Sequence, residues 1–479
     1  MQPPSQINSK ADPDALDRKL CQRARLSRDP RFDGEFFVAV ATTGIYCRPI
    51  CPARAPAEKN VEYYRHAIQA GQAGYRPCLR CRPESAPASP AWAGTSTTVK
   101  RALALISEGA LNDKPLAELA HRLGVGERYL RKLFNKELGV SPHAVAHHQR
   151  LLFARKLVLE TLLPLSEIAY AAGFGSVRRF NSAMREEFRM APGDLRRAKA
   201  TKKQARSVTL LLQYRPPYDW EGITDVFARH AIEGIETVSS THYRKHIRYE
   251  GAVTEIAVSH APAKNALKLE VGLTDPTALM PIVANVRRMF DLDANPAAIA
   301  NVLCTDKALK QLIKATPGIR SPSHWSLFES TIRAIVGQQV STAAARSVLA
   351  RMASTAKTHH EQATFPTAEE LASLPDTAFP MPTRRRETLR SICKHYSGKE
   401  ETLDIETLAS FKGIGPWTTA LVAMRGAGAS DLFPHKDLGL EKAWAQLTDD
   451  KSPNLTEHAA AWRPWGAYAA NLLWRSLSA

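Results

Sequence analysis

Four cysteines near the N-terminus, Cys47-x3-Cys51 and Cys78-x2-Cys81, constrain this chain more than any other feature. Two thiolate pairs on short loops, joined by a long connection, suit one tetrahedral zinc ion held by Cys47, Cys51, Cys78 and Cys81. Paired disulfides are the alternative, but they belong to oxidising compartments, and no secretory leader is apparent. The metal reading is therefore preferred. Cys21, Cys304 and Cys393 stand singly and read as core or surface thiols.

A tetrathiolate zinc centre carries a formal charge of −2, which keeps its sulfurs deprotonated and electron-rich at neutral pH. An exposed sulfur of that kind can attack an electrophilic methyl carbon. The product is a neutral thioether, so the surface becomes less negative and repels a polyanion less. A purely structural zinc knuckle is the plainer alternative.

At 479 residues the chain is long enough for roughly three domains. The net charge of +18 is uneven: residues 1–210 hold 35 Lys+Arg against 19 Asp+Glu, and the remainder hold 30 against 28. A positive field concentrated in one part of a chain attracts nucleic acid. A membrane surface is the rival partner, but no lipidation signal or apolar run of roughly 20 residues is present. The expected setting is cytoplasmic and nucleoid-associated. Two polar stretches, 83–96 and 198–207, read as linkers. They divide the chain into a small α/β zinc module (1–85), an all-α module (97–198), an α+β lobe (207–285) and an all-α lobe (286–479).

The segments FFVAVATTGIYCRPICPARAPAEKNVEYY and AGYRPCLRCRP closely resemble the N-terminal domain of the Ada adaptive-response family, over roughly residues 13–85. That resemblance implies that Cys47 takes a methyl group irreversibly from a DNA methylphosphotriester. It also places Thr43, Arg54 and Arg76 at positions that contact the DNA backbone. The family's second acceptor motif, Pro-Cys-His-Arg, does not occur, so no O6-methylguanine activity is expected.

The all-α module repeats one pattern: PLAELAHRLGVGERYLRKLFNKELGVSP (115–142) and PLSEIAYAAGFGSVRRFNSAMREEFRMAP (164–192). Each pass has a short helix, a glycine turn at Gly124 or Gly173, and an arginine-dense second helix. Leu116, Leu119, Ala120, Leu123, Tyr129, Leu130, Leu133 and Phe134 recur at helical spacing. This is a double helix-turn-helix, whose second helices enter the major groove. Glu127, Arg128, Arg131 and Lys132, and then Ser176, Arg178, Arg179 and Asn181, are the candidate DNA-reading residues. The pattern is similar to the AraC/XylS family of activators, which implies promoter DNA and RNA polymerase as partners.

Beyond residue 207, VTLLLQYRPPYDW, RYEGAVTEIAV and NALKLEVGL alternate as half-buried strands do. Helical sequence then dominates. Within it, Lys412-Gly413-Ile414-Gly415 joins two helices as a helix-hairpin-helix. Its glycines allow positive backbone dihedrals, and its amides can hold a phosphate. Asp437 follows 22 positions after Gly415. A carboxylate there can stabilise the positive sugar formed when an N-glycosidic bond breaks. Trp417 and Trp474 offer aromatic faces for a cationic base taken out of the stack. Helix capping is the competing use of Asp437, and core packing that of each tryptophan.

RPPYDW, RAIVGQQVS, GIGPWTTALVAMRG, DLFPHKDLGL and RPWGAYAANLLW resemble AlkA-type 3-methyladenine DNA glycosylases over nearly the whole of this part. By that resemblance Asp437 is catalytic, Trp417 and Trp474 line the base pocket, and 412–415 binds phosphate. A tryptophan at 417 stands where lyase relatives carry a Schiff-base lysine, which implies a monofunctional, hydrolytic enzyme. Two positions depart from the family: Leu421 replaces a pocket tyrosine, and Gln339 replaces an intercalating leucine. The expected whole is a fusion that repairs alkylated DNA and activates transcription. The alternatives are a regulator with an inactive glycosylase half and an unrelated zinc transcription factor.

Overall fold

The computed structural model describes residues 16–78, 80, 81, 83, 86, 97–196, 207–249, 251–272, 275–356, 363–448 and 454–477. The linker at 198–207, apart from Ser207, and that at 83–96, apart from Pro83 and Ala86, lie outside the described residues. The chain forms two compact units, Met1–Thr95 and Ser96–Ala479.

In the first unit α1 (Arg18–Ser27) precedes β1 (Phe37–Val40), β2 (Ile45–Cys47), β3 (Val61–Tyr64), α2 (Ala67–Gln72) and β4 (Arg76–Pro77). The sheet order is β3-β1-β2-β4. β1 and β2 form a hairpin whose turn needs Gly44, at φ +61°. β2 and β4 run parallel, with Tyr46 opposite Pro77. That register sets the next residues, Cys47 and Cys78, side by side and so joins the two cysteine pairs.

His66, at the start of α2, is buried, and burial pushes its imidazole down to about 4. A free imidazole titrates near 6.5, so the unfolded chain takes up an extra proton between those values. The contribution of this histidine to stability is complete above pH 6.5 and is lost as pH falls towards 4. Roughly 2 kcal/mol should be gone by pH 5. Asn can also start a helix, so His66→Asn should flatten this part of the pH dependence. Denaturant titrations of the two proteins at pH 7 and pH 5 would check it.

The second unit opens with seven helices: α3 (Thr97–Ser107), α4 (Leu116–Arg122), α5 (Glu127–Leu138), α6 (Pro142–Glu160), α7 (Leu165–Ala171), α8 (Val177–Phe188) and α9 (Pro192–Leu195). Pairs α4–α5 and α7–α8 are the two helix-turn-helix passes, and Gly124 and Gly173 adopt positive φ in their turns. Leu130, Phe134 and Leu138 bury one face of α5, and Phe180, Met184 and Phe188 do so for α8. Tyr129 departs from the apolar reading and is 53% exposed.

Next come β5 (Ser207–Gln213), α10 (Trp220–His230), β6 (Glu236–Val238), β7 (His242–Tyr249), β8 (Ala252–Ala261), β9 (Ala266–Gly272) and α11 (Leu279–Met289). The antiparallel sheet runs β5-β9-β8-β7-β6, and the short edge strand β6 carries no alternation strong enough to announce it. α11 crosses the expected 285/286 division, and its Leu279, Ile282, Val283, Val286 and Met289 belong to the core of the sheet.

The remaining helices are α12 (Pro296–Leu303), α13 (Lys307–Ala315), α14 (Leu327–Val336), α15 (Thr342–Thr355), α16 (Ala368–Ser373), α17 (Thr383–Tyr396), α18 (Ile405–Ala409), α19 (Pro416–Ala427), α20 (Leu438–Thr448), α21 (Leu455–Ala461) and α22 (Gly466–Ser476). They build two apolar cores. α19 borders both, with Val422 in one and Met424 in the other. This position brings the start of α19 towards α20 and α22.

Candidate functional site

In the first unit the sulfurs of Cys47, Cys51, Cys78 and Cys81 all lie within 4.8 Å of one another. Four sulfurs each about 2.3 Å from a central zinc fit that spacing, so the donor set and its geometry match a tetrathiolate zinc site. The sulfurs are not equivalent. Cys78 and Cys81 are buried, whereas Cys47 and Cys51 are half-buried. The amide of Arg48 donates to Cys81 Sγ at 3.3 Å, and that of Arg80 to Cys78 Sγ at 3.4 Å. The backbone of Ala53 supports Cys51 in the same way. Among the described residues, no backbone amide donates to Cys47. An N–H donor draws charge from a thiolate and so lowers the nucleophilicity of the sulfur that accepts it.

Arg48 is a residue that spacing alone did not single out. It is buried, bonds Asp33 Oδ1 at 2.7 Å and the carbonyl of Cys81 at 3.1 Å, and so ties the second cysteine pair to β2. Thr43 and Arg54 are exposed, and Arg76 is half-buried.

In the helix-turn-helix passes Arg128, Arg131, Lys132, Arg178 and Arg179 are exposed on α5 and α8, and Asn181 is half-buried. Arg131 is ion-paired to Glu127 one turn earlier. Ser176 is the N-cap of α8, and its hydroxyl accepts from Arg179 N at 3.3 Å. Serine at a helix start satisfies an otherwise orphaned amide.

The hairpin 412–415 is bound from both sides. Thr388 Oγ1 donates to the carbonyl of Lys412 at 2.8 Å, and Gln338 Nε2 donates to that of Gly413 at 3.1 Å and to Thr418 Oγ1 at 3.0 Å. With its carbonyls held inward, the amides at the start of α19 remain available to an anion. Only one of the two glycines needs its freedom: Gly413 has φ +91°, while Gly415 is extended. Ile414 is buried, and its amide donates to the carbonyl of Phe411 at 3.1 Å. Lys412 is exposed. A side chain at 413 would meet Thr388 Oγ1 at 2.5 Å. Gly413→Ala should therefore cost about 1–2 kcal/mol in backbone strain, before any overlap, and weaken binding to undamaged duplex. Thermal melting and fluorescence anisotropy would measure both.

Gln339 is exposed at the end of the loop after α14, with φ +55°, next to the exposed Val340. A non-glycine residue in that region stores strain, which is common where a side chain must be presented outward.

Asp437, Trp417 and Trp474 come together. Asp437 Oδ2 accepts from Trp417 Nε1 at 2.9 Å, and Oδ1 accepts from Trp474 Nε1 at 3.0 Å. Oδ1 also accepts from Leu440 N at 3.0 Å, so the capping use is realised alongside the other two contacts. Three donors fix the carboxylate, and both indoles are aimed by it. Trp474 also packs against the neighbouring core, and Leu421 lies one turn beyond Trp417 at the edge of the other. Arg425 and Gly439 are further members of this site. The Arg425 guanidinium lies 5.3 Å from the centre of the Trp474 ring and bonds Asn471 Oδ1 at 2.9 Å and the carbonyl of Pro322 at 2.8 Å. Gly439 leaves room beside Asp437, since a side chain there would stand 3.0 Å from Oδ1. Cys393 is buried, which pushes its thiol up to about 12.

Residues 20–84 match the metal-binding domain of Ada, 119–198 a helix-turn-helix domain, and 209–326 the AlkA N-terminal domain. Over 96% of its length the chain is 37% identical to a probable bifunctional transcriptional activator/DNA repair enzyme AlkA of Mycobacterium tuberculosis, of which 97% is covered. It is 32% identical to DNA-3-methyladenine glycosylase 2 of Escherichia coli, over 55% of this chain and 95% of the relative. It is also 40% identical to the bifunctional transcriptional activator/DNA repair enzyme Ada of Escherichia coli, over 25% of this chain and 32% of the relative.

Proposed function

Because the chain belongs to the family of bifunctional transcriptional activators and DNA repair enzymes of the AlkA type, we propose that it repairs alkylated DNA at two separate centres and reports the damage by activating transcription. Cys47 is the methyl acceptor, and Cys51, Cys78 and Cys81 complete the metal site. Zinc, when bound, keeps the four sulfurs deprotonated. The Cys47 sulfur attacks the methyl carbon of a methylphosphotriester. A carbon–sulfur bond forms, the methyl carbon–oxygen bond breaks, and the phosphodiester leaves with the electron pair as an anion. Thr43, Arg54 and Arg76 hold the DNA backbone for this step. The lost negative charge then favours DNA binding, and the two recognition helices engage promoter DNA and bring RNA polymerase to it.

Asp437 serves the second reaction. An N3-alkylated purine is already cationic, so it leaves C1′ with the glycosidic electron pair and becomes neutral. The fixed carboxylate stabilises the positive sugar and orients the water that attacks it. Trp417 and Trp474 recognise the extruded base, the hairpin 412–415 grips a phosphate, and Gln339 fills the vacated stack. With tryptophan at 417 no Schiff base forms, so the abasic site stays intact.

The observation that carries the excision reading is the Asp437 carboxylate with one indole N–H on each oxygen. Incubation with duplex containing N3-methyladenine tests it: free base should accumulate over many turnovers, with strands cut only after alkali. A folded protein that releases no base would leave a regulator with an inert glycosylase half.

A further inference from the structure

β5 is an edge strand, and an edge presents backbone groups with no strand to pair them. Here the edge is closed by the activator part of the chain. Leu211 N donates to Glu160 Oε2 at 3.2 Å, and its carbonyl accepts from Lys156 Nζ at 2.6 Å. Lys156 and Glu160 lie one turn apart at the end of α6, pair at 2.9 Å, and retain only 7% and 8% side-chain exposure. They take both hydrogen bonds that a further strand would offer Leu211. Around them Leu151, Ala154, Leu157 and Val158 of α6 share one continuous apolar core with Val208, Leu210 and Leu212 of β5 and with Leu279, Ile282 and Val283 of α11.

A second contact leads through α11 to the far end of α19. α3 packs on α11, and the amide of Asn112 donates to Met280 Sδ at 3.6 Å. Arg288 of α11 lies within electrostatic reach of Glu108. Its guanidinium donates to the carbonyls of His324 at 2.9 Å, Trp325 at 2.6 Å and Gly426 at 2.6 Å. Gly426 lies in the last turn of α19, the helix whose first turn holds Trp417.

Resting on the excision reading above, we propose that the activator module is a working part of the glycosylase. Lys156 and Glu160 complete the sheet of its α+β lobe, and through α11 the module holds α19 where Trp417 meets Asp437. Both are positioning residues, since neither touches the carboxylate or the tryptophans. Base excision therefore depends on side chains that lie outside the glycosylase sequence.

The test uses the full chain. Glu160→Lys removes the acceptor for Leu211 N and sets two ammonium groups together, whereas Glu160→Gln keeps an acceptor oxygen. Base release by Glu160→Lys should fall roughly 10²-fold, mainly in kcat, because small displacements of a catalytic group are costly. Glu160→Gln should recover most of the rate, and methyl uptake at Cys47 should be unchanged in both. In the unaltered protein the Leu211 amide should exchange as slowly as those of the central strand β8. A protease site inserted within 198–206 covers the case in which Glu160→Lys fails to fold: after cleavage the two halves should stay together on a sizing column. Fast exchange at Leu211, separation of the halves, or wild-type excision by Glu160→Lys would each overturn the proposal. Absence of excision from the unaltered protein would instead overturn the reading on which it rests.

Discussion

Asp437→Asn should reduce base excision by roughly 10³-fold while methyl transfer to Cys47 continues at its normal rate. The carboxylate has three donors: the Trp417 and Trp474 indoles and the Leu440 amide. Asn can keep the cap and one indole through its oxygen. Its NH2 group then faces the other indole N–H, donor against donor, and one tryptophan must turn away. The charge that would steady a cationic sugar is also gone. The stability cost should stay near 1 kcal/mol, since one unmet hydrogen bond at a half-buried site is modest. Single-turnover release of N3-methyladenine, read beside a thermal melt, separates the chemical loss from the structural one.

The second large effect is expected at Cys47. Cys47→Ala should end methyl uptake entirely, because among the described residues backbone amides support Cys51, Cys78 and Cys81 while none donates to Cys47. The three remaining cysteines keep a partial metal site, so zinc affinity should fall but not vanish. Excision by the second unit should continue. Methyl transfer from labelled DNA, with zinc content measured on the same sample, checks both statements. Transfer that persisted on Cys51 would show that accessibility alone selects the acceptor.

Much of this arrangement is legible in the sequence because the chemistry sits in local spacing. Two cysteine pairs, a Gly-x-Gly hairpin and an aspartate beyond it carry their meaning within a few residues or one helix. The register that joins the pairs, Tyr46 opposite Pro77, follows from a parallel pairing that no local signal announces. Ser176 shows a second use that the sequence reading did not single out: one residue type serves both helix capping and base reading, and the capping use is seen only once the helix start is placed. Asp437 reads as either cap or catalyst, and the structure makes it a cap that also holds both tryptophans. The contact of Lys156 and Glu160 with Leu211 is invisible in the sequence, since its partners lie more than 50 positions apart and a basic stretch between them reads as a separating linker.

One incubation tests the central claim most directly: the full chain, loaded with zinc, mixed with duplex that a methylating agent has damaged at both phosphates and bases. Mass spectrometry of the protein and chromatography of released bases are followed in the same tube. Two independent centres predict one added methyl per chain, confined to the Cys47 peptide and saturating, while free 3-methyladenine continues to rise past one per chain. Protein that gains no methyl at Cys47, or base release that stops when the methyl count saturates, would contradict the account.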